Sequence, residues 1–410
     1  MNIGIVTQWF DSGAGNVSKS YAQVLSGEHQ IFIYARGGKT MKRDIRWDGQ
    51  NITWAPPHIV STGIHKKHFL GWAKRNKIEA VLFNEQRHWE GVILAKNIGL
   101  LTGAYVDYYT QDTVPFFKLY DFLICNTKRH YELFRDHPQC VLCPWGTDLE
   151  LYKPKINIIK RPLTFITSAG WCGSYAKNQA WMDRRGIGQV LRAFNGINED
   201  CKLIVYSQDE LKNCPKEWIQ IVEANEKIKF ISGTFDPFPY NEGDVYVYPS
   251  RLDGIGLTLP EALSCGLPVI TTSSPPMNEF VKHLENGLLV PVSKFLGRPD
   301  GYFWAESICD ENALRDSMEI YLGNPKTLKA HSIRSRELAE LELNWNQNAA
   351  FLKTWIGQIH KVNLDFSSLE HKCRSYDKMK SPSSIWQLLL IGYNLYFYLR
   401  AKLSYFKSDL

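Results

Sequence analysis

Two carboxylates eight positions apart, Asp253 and Glu261, bracket the glycine-rich stretch Gly254-Ile255-Gly256. That stretch runs straight into the apolar pattern Leu257, Leu259, Ala262 and Leu263, which has helical spacing. Carboxylates on either side of a turn with bare backbone N–H groups suit a sugar diphosphate. Glycine lets the main chain approach an anion closely, and the amino end of a helix presents unpaired donors with partial positive charge. On this reading Gly256, Leu257 and Thr258 face the phosphates, Glu261 takes hydroxyls beyond them, and Asp253 faces a group on the other side.

The stretch resembles the E-x7-E motif of the retaining, family 4 type glycosyltransferases, whose pattern is roughly E-G-F-G-L-x-x-x-E-A-x-x-x-G-x-P-V. Here it reads Asp253-Gly254-Ile255-Gly256-Leu257, then Glu261-Ala262, then Gly266-Leu267-Pro268-Val269. The first acid is one methylene shorter than the usual Glu. The resemblance implies an α/β chain of GT-B fold: two doubly wound Rossmann-like domains facing a cleft, with a C-terminal crossover helix. It implies a nucleoside diphosphate sugar as donor, no cofactor and no metal, and a glycan or lipid-linked acceptor.

The same resemblance assigns roles residue by residue. The family has a strand, then G-R, then K-G opening a helix, and its Arg and Lys neutralise the diphosphate. Here Ala169-Gly170-Trp171 puts Trp where Arg is usual, and Arg184-Arg185-Gly186-Ile187 follows a longer loop. Arg185 carries over as the phosphate ligand in place of Lys, since a guanidinium can hold phosphate oxygens bidentately. Arg184 either compensates for the missing Arg or is a solvated charge. Asp253 and Arg185 are the catalytic candidates: Asp253 orients the donor sugar, while Arg185 and the helix start stabilise charge on the leaving diphosphate. The segment Lys229–Asp236 is similar to the family's strand-Gly stretch near the nucleobase. It makes Ile231 and Gly233 base-side candidates, or plain core.

Gly13 and Gly15 follow the first strand, in the place where open α/β sheets bind ligands. They are donor-side candidates or a plain tight turn. The third glycine of a dinucleotide fingerprint is missing, and the next strand ends in Tyr34-Ala35-Arg36 without an acid for a ribose. Glu85, His88, Asp107 and Tyr109 follow later strand ends and are the acceptor-side candidates.

These residues need two sheets to hold them. A chain of 410 residues with 44% hydrophobic and 22% charged residues fits two soluble domains. Short β-rich runs alternate with helical segments in both halves, as doubly wound domains require. The expected division is 1–150 for an acceptor-side domain, 151–162 for a linker and 163–344 for a nucleotide-sugar domain. A crossover helix over 345–363 and an aromatic, basic tail over 364–410 complete it. The net charge of +6 suits anionic partners, and scattered basic residues without a recognition motif speak against nucleic acid. Nine cysteines without a secretory signal read as reduced thiols, hence a cytoplasmic setting. In the tail, Ile385–Leu399 (IWQLLLIGYNLYFYL) falls short of the roughly 20 residues that span a bilayer. Its Tyr and Trp with flanking bases suit a helix lying in a membrane interface, or one packed on protein. The expected function is sugar transfer in cell-surface polysaccharide or glycolipid synthesis, at the inner face of a membrane. The alternatives are a nucleotide-sugar epimerase or hydrolase of the same fold, or a binding protein with a decayed site.

Overall fold

A computed structural model describes residues 1–36, 45–56, 58, 60, 62–154, 162–171, 183–362 and 365–380. The chain divides into two units, one of Met1–Asn126, His130–Leu142 and Ala349–Leu410, the other of Thr127–Arg129 and Cys143–Asn348.

The first unit alternates β1 (Asn2–Gln8), α1 (Gly13–Leu25), β2 (Gln30–Arg36), β3 (Ile52–Trp54), α2 (Lys66–Arg75), β4 (Ala80–Asn84) and α3 (Glu90–Asn97). It continues with β5 (Leu101–Tyr105), β6 (Phe122–Cys125), α4 (Lys128–Phe134, of which Lys128 and Arg129 count with the second unit) and β7 (Cys140–Leu142). The seven strands form one parallel sheet in the order β3-β2-β1-β4-β5-β6-β7. Every residue of β4 and β6 is buried, as parallel strands covered on both faces must be. All carboxyl ends therefore share one edge, where Arg36, Asn84 and Tyr105 stand.

The second unit runs β8 (Leu163–Gly170), α5 (Ile187–Asn195), β9 (Cys201–Ser207), α6 (Lys216–Ala224), β10 (Ile228–Ser232), β11 (Val245–Tyr248) and α7 (Thr258–Ser264). Then come β12 (Val269–Thr272), α8 (Met277–Phe280), β13 (Gly287–Val290), β14 (Val292–Leu296) and β15 (Glu306–Cys309). The helices α9 (Glu311–Gly323), α10 (Pro325–Glu342) and α11 (Trp345–Asn348) close it. Its main sheet has the order β10-β9-β8-β11-β12-β13, and β14 with β15 makes a separate antiparallel hairpin that the sequence reading did not foresee. The core gathers Phe165, Val190, Leu191, Phe194, Leu203, Val205, Val245, Val247 and Ile270 between this sheet and its helices.

The continuous crossover helix expected over 345–363 is two short ones, α11 and α12 (Leu352–Gln358). Asn348 ends the first. Its side-chain amide donates to the carbonyls of Pro144 (3.2 Å) and Glu342 (2.8 Å), so its polar group serves the loop instead of the helix. The tail begins with a helix that had not been anticipated, α13 (Ser367–Lys380). The candidate interface helix Ile385–Leu399 lies outside the described residues, as does most of the expected linker. No described helix is long and apolar enough to cross a membrane. Cys214 stands in a disulfide, against the all-reduced expectation, while Cys125, Cys140, Cys143, Cys201, Cys265, Cys309 and Cys373 keep their thiols.

Candidate functional site

In the second unit, two loops at the carboxyl edge of the sheet are zipped together, and this sets the geometry of both acids and both arginines. Gly186, at φ +70°, turns the chain into α5, and a Cβ there would lie 2.4 Å from the carbonyl oxygen of Pro249. Only glycine allows both the left-handed backbone and that approach. The Arg184 carbonyl then accepts the Arg251 amide (2.7 Å) and the Ser250 hydroxyl (3.3 Å). Asp183, which sequence reasoning passed over, caps α5 by accepting the amides of Ile187 and Gly188, each at 2.8 Å.

Arg185 is thereby folded back onto the end of β8. Its Nη1 donates to the carbonyl (3.3 Å) and hydroxyl (3.2 Å) of Ser168, and its guanidinium sits 6.0 Å from the ring centre of Tyr248. Gly170 makes room for it, since a Cβ at that position would lie 2.9 Å from the Arg185 Cζ. Arg184 lies at the surface with Nη2 3.8 Å from Asp253 Oδ1. Trp171, standing where an Arg is usual, is 61% exposed.

Asp253 is buried, and its Oδ2 accepts the Tyr248 hydroxyl (2.8 Å) and the Ser250 hydroxyl (2.7 Å). Gly256 turns the chain at φ +86°, and α7 starts one residue later than expected, at Thr258 with Leu257 as its N-cap. Glu261 sits in the first turn of α7, where its Oε2 accepts the Tyr240 hydroxyl at 2.7 Å. Tyr152 hydrogen-bonds to it as well. Burial pushes the Glu261 carboxyl up to about 7, against these two tyrosines and Arg185, which favour the carboxylate, while Asp236 adds like charge.

Aromatic rings connect these groups to the base-side candidates. Tyr248 stacks on Tyr246 (5.5 Å between ring centres), which meets Tyr240 (5.4 Å), which meets Phe238 (4.7 Å), which meets Tyr206 (5.0 Å). Ile231 and Gly233 lie at the end of β10 beside this run, with the Gly233 amide on the Ser207 carbonyl (2.8 Å). Thus Asp253, Glu261, Arg184, Arg185, Gly256, Leu257, Thr258, Ile231 and Gly233 share one edge of one sheet. Tyr152, Tyr240 and Phe238 were missed; nothing in their local sequence marks them, because they meet Glu261 only through the fold.

The remaining candidates fall in the first unit. Gly13 opens α1, and the Gly15 amide donates to the N-cap hydroxyl of Ser12 (3.1 Å). A Cβ on Gly15 would lie 2.1 Å from the Phe10 carbonyl, so packing alone accounts for that glycine. Glu85 directly follows β4 with φ +49°, rare for a residue with a side chain. Arg36 holds that loop from below: its guanidinium donates to the carbonyls of Asn84 and Glu85 and to the Gln86 side chain (3.1 Å). His88 is half-buried, its Nδ1 3.4 Å from Asp377 Oδ2. Asp107 lies past the end of β5 and is half-buried. Tyr109 is a correction: it is 0% exposed, with its hydroxyl 2.7 Å from His130 and its ring against Phe117 and Phe134. It belongs to the core and cannot line a ligand surface. Among the described residues, no group of three or more His, Cys, Asp or Glu is placed to hold a metal ion.

Comparison with known proteins bears on these geometries. Residues 182–294 match the family described as glycosyl transferases group 1, a span holding Arg184, Arg185, Asp253 and Glu261. An uncharacterized glycosyltransferase of Haemophilus influenzae is 27% identical over 195 residues, 46% of this chain and 47% of that protein. The GtfA subunit of the UDP-N-acetylglucosamine–peptide N-acetylglucosaminyltransferase of Streptococcus pneumoniae is 26% identical over 182 residues, 42% of this chain and 34% of its own length. The chain spans half or less of the length of these curated relatives. The solved structure of Anabaena HepE in complex with UDP and glucose shares the fold, with TM-score 0.67 at 13% identity, over 88% of this chain and all of that one.

Proposed function

We propose that this chain, a GT-B protein carrying a glycosyl transferases group 1 segment, moves a sugar from a nucleoside diphosphate sugar to an acceptor hydroxyl with retention at the anomeric carbon. The observation that carries the reading is the pairing, on one sheet edge, of a tyrosine-held carboxylate at Glu261 with a guanidinium at Arg185. Glu261 accepts hydrogen bonds from the ribose hydroxyls. Arg185, with the chain turn at Gly256–Thr258, meets the diphosphate, whose negative charge grows as the anomeric C–O bond breaks. Asp253, pinned by Tyr248 and Ser250, orients the donor sugar. The acceptor attacks on the face the diphosphate leaves, and the departing phosphate oxygen takes the acceptor proton. These residues do this without a metal.

HepE's complex makes UDP-glucose the first donor to try. Glu85, His88 and Asp107 are the acceptor-side groups, and a glycan or lipid-linked acceptor at the inner face of a membrane fits the aromatic, basic tail. The test is release of nucleoside diphosphate from a panel of nucleotide sugars. Glu261→Ala should weaken donor binding, Arg185→Ala should lower turnover, and Asp253→Ala should abolish it. Free sugar or an isomer formed without acceptor would favour the hydrolase or epimerase reading. Absence of nucleotide binding in calorimetry would favour a binding protein with a decayed site, a reading supported by the exposed Trp171 and by the short acid Asp253.

A further inference from the structure

The helix α13 crosses the first unit from one edge of its sheet to the other. Just before its start, the Phe366 ring lies 4.2 Å from Lys96 Nζ, and Lys96 pairs with Asp121 (2.9 Å) ahead of β6, at the amino edge. Near its end, Asp377 Oδ2 accepts the amides of Trp89 (2.8 Å) and Glu90 (3.0 Å), the opening residues of α3 at the carboxyl edge. Arg374 pairs with Glu90 (2.6 Å), and Tyr376 meets Phe116 edge-on at 5.6 Å. The helix thus runs antiparallel to α3 and delivers the chain to the loop Glu85–His88. That is the edge where α/β sheets take ligands.

What the chain presents on arrival is basic and apolar together. Lys378, Met379 and Lys380 are all exposed, and Met379 leaves 70% of its surface to solvent between the two lysines. The same corner carries the exposed Arg87, and Thr62 Oγ1, which accepts the Arg87 (2.9 Å) and His88 (3.0 Å) amides, leads into the exposed Lys66 and Lys67 at the start of α2. The sequence then continues through Ile385–Leu399, rich in Tyr, Leu and Ile with one Trp, to Arg400, Lys402 and Lys407. Lysines attract anionic headgroups, and aromatic residues favour the headgroup level.

We propose that this corner of the first unit seats on an anionic lipid surface, so that the Glu85–His88 loop meets acceptors held in that surface and the acceptor class is a lipid-linked saccharide. The acceptor half rests on the glycosyltransferase reading; the lipid-surface half stands without it.

The experiment uses the full chain with vesicles of phosphatidylcholine alone and of phosphatidylcholine with phosphatidylglycerol. Sedimentation should show strong binding to the second and little to the first. The double variant Lys378→Glu/Lys380→Glu should weaken that binding by roughly thirtyfold or more, with its circular dichroism unchanged. A photo-crosslinking p-benzoylphenylalanine in place of Arg87 should capture lipid, and one in place of Glu28, exposed beyond α1 at the amino edge, should not. Failure to bind anionic vesicles, equal binding to both, or equal crosslinking at the two positions overturns the surface. Dimers held through the tail in place of vesicle binding overturn it as well. With labelled nucleotide sugar, counts should enter the organic phase when vesicles carry glycolipid; transfer only to soluble oligosaccharides overturns the acceptor class. If no nucleotide sugar turns over while the vesicle and crosslinking results hold, the glycosyltransferase reading has failed and the lipid surface has not.

Discussion

Donor binding should release a proton, and Glu261 should be its source. Burial raises that carboxyl from an ordinary 4.5 to about 7 in the ligand-free protein. About half of the molecules therefore carry the proton at pH 7. Two ribose hydroxyls donating to the carboxylate favour its ionised form, so the complex titrates lower. Binding can therefore expel at most roughly half a proton at pH 7 and about 0.9 at pH 6, but only about 0.1 at pH 8. Affinity should fall about fivefold between pH 7 and pH 6. Calorimetry in buffers of different ionisation enthalpy reads the proton number directly. UDP-glucose is the proper titrant, because a terminal phosphate titrates near pH 6 and would add its own proton, whereas a phosphodiester does not. Glu261→Gln should bind more weakly and without any pH-dependent release. Tight binding by the parent with no release between pH 6 and 8, or equal release by the variant, would refute the assignment of Glu261 to the ribose.

The same shift acts on folding. A carboxyl whose folded pKa is raised binds its proton more tightly in the fold, so its contribution is complete below the unfolded value near 4.5 and is lost as pH rises through about 7. The ceiling of that loss is about 3 kcal/mol. Glu261→Gln, which cannot ionise, should therefore unfold at higher denaturant than the parent at pH 8, and the gap should close by pH 5.

Other expectations concern the frame that holds the site. Gly186→Ala should cost at least about 2 kcal/mol in urea unfolding, because it adds left-handed strain to the 2.4 Å approach at Pro249; an unchanged midpoint would contradict the zipped loops. Arg36→Met should cost about 3 kcal/mol, since it leaves the carbonyls of Asn84 and Glu85 and the Gln86 side chain without their buried donor. It should also raise hydrogen exchange in the Glu85–His88 loop. Gly170→Ala, which brings a methyl to 2.9 Å from the Arg185 guanidinium, should weaken donor binding more than it lowers stability, as parallel calorimetry and urea melts would tell.

The sheets were legible because parallel strands covered on both faces read as unbroken apolar runs, as in the fully buried strands Ala80–Asn84 and Val245–Tyr248. Helices with polar buried faces were not. The buried residues of α10 are Leu328, His331, Ser335, Leu338 and Ala339, and those of α13 are Cys373 and Asp377, so neither shows an apolar stripe at helical spacing. The acids and arginines of the site were legible because turn, helix start and charge lie within a few positions of one another. Their partners were not, since Tyr152 and Glu261 meet only through folding and nothing near Tyr152 predicts it. Tyr109 failed for the opposite reason: its position after a strand is right for a cleft, but Phe117 and Phe134 cover it.

The short acid at position 253 bears on whether the site is decayed or differently built. A decaying site loses the partners of its acid before or along with the acid itself, because a buried hydroxyl or carboxylate without its partner is costly. Here the partners remain: Tyr248 and Ser250, five and three residues upstream, both donate to one oxygen of Asp253 and fix its rotamer. A longer Glu would push its carboxylate past both hydroxyls, so the shorter acid and the two donors form one matched set. Ser250→Ala tests whether that match serves chemistry. A hydrogen bond to a charged group is worth about 1.5–3 kcal/mol, so if Asp253 must be aimed, turnover should fall ten- to a hundredfold while donor affinity changes little. Turnover equal to the parent's would mean that Asp253 only ties down its loop, and the case for a working site would then rest on Glu261 and Arg185.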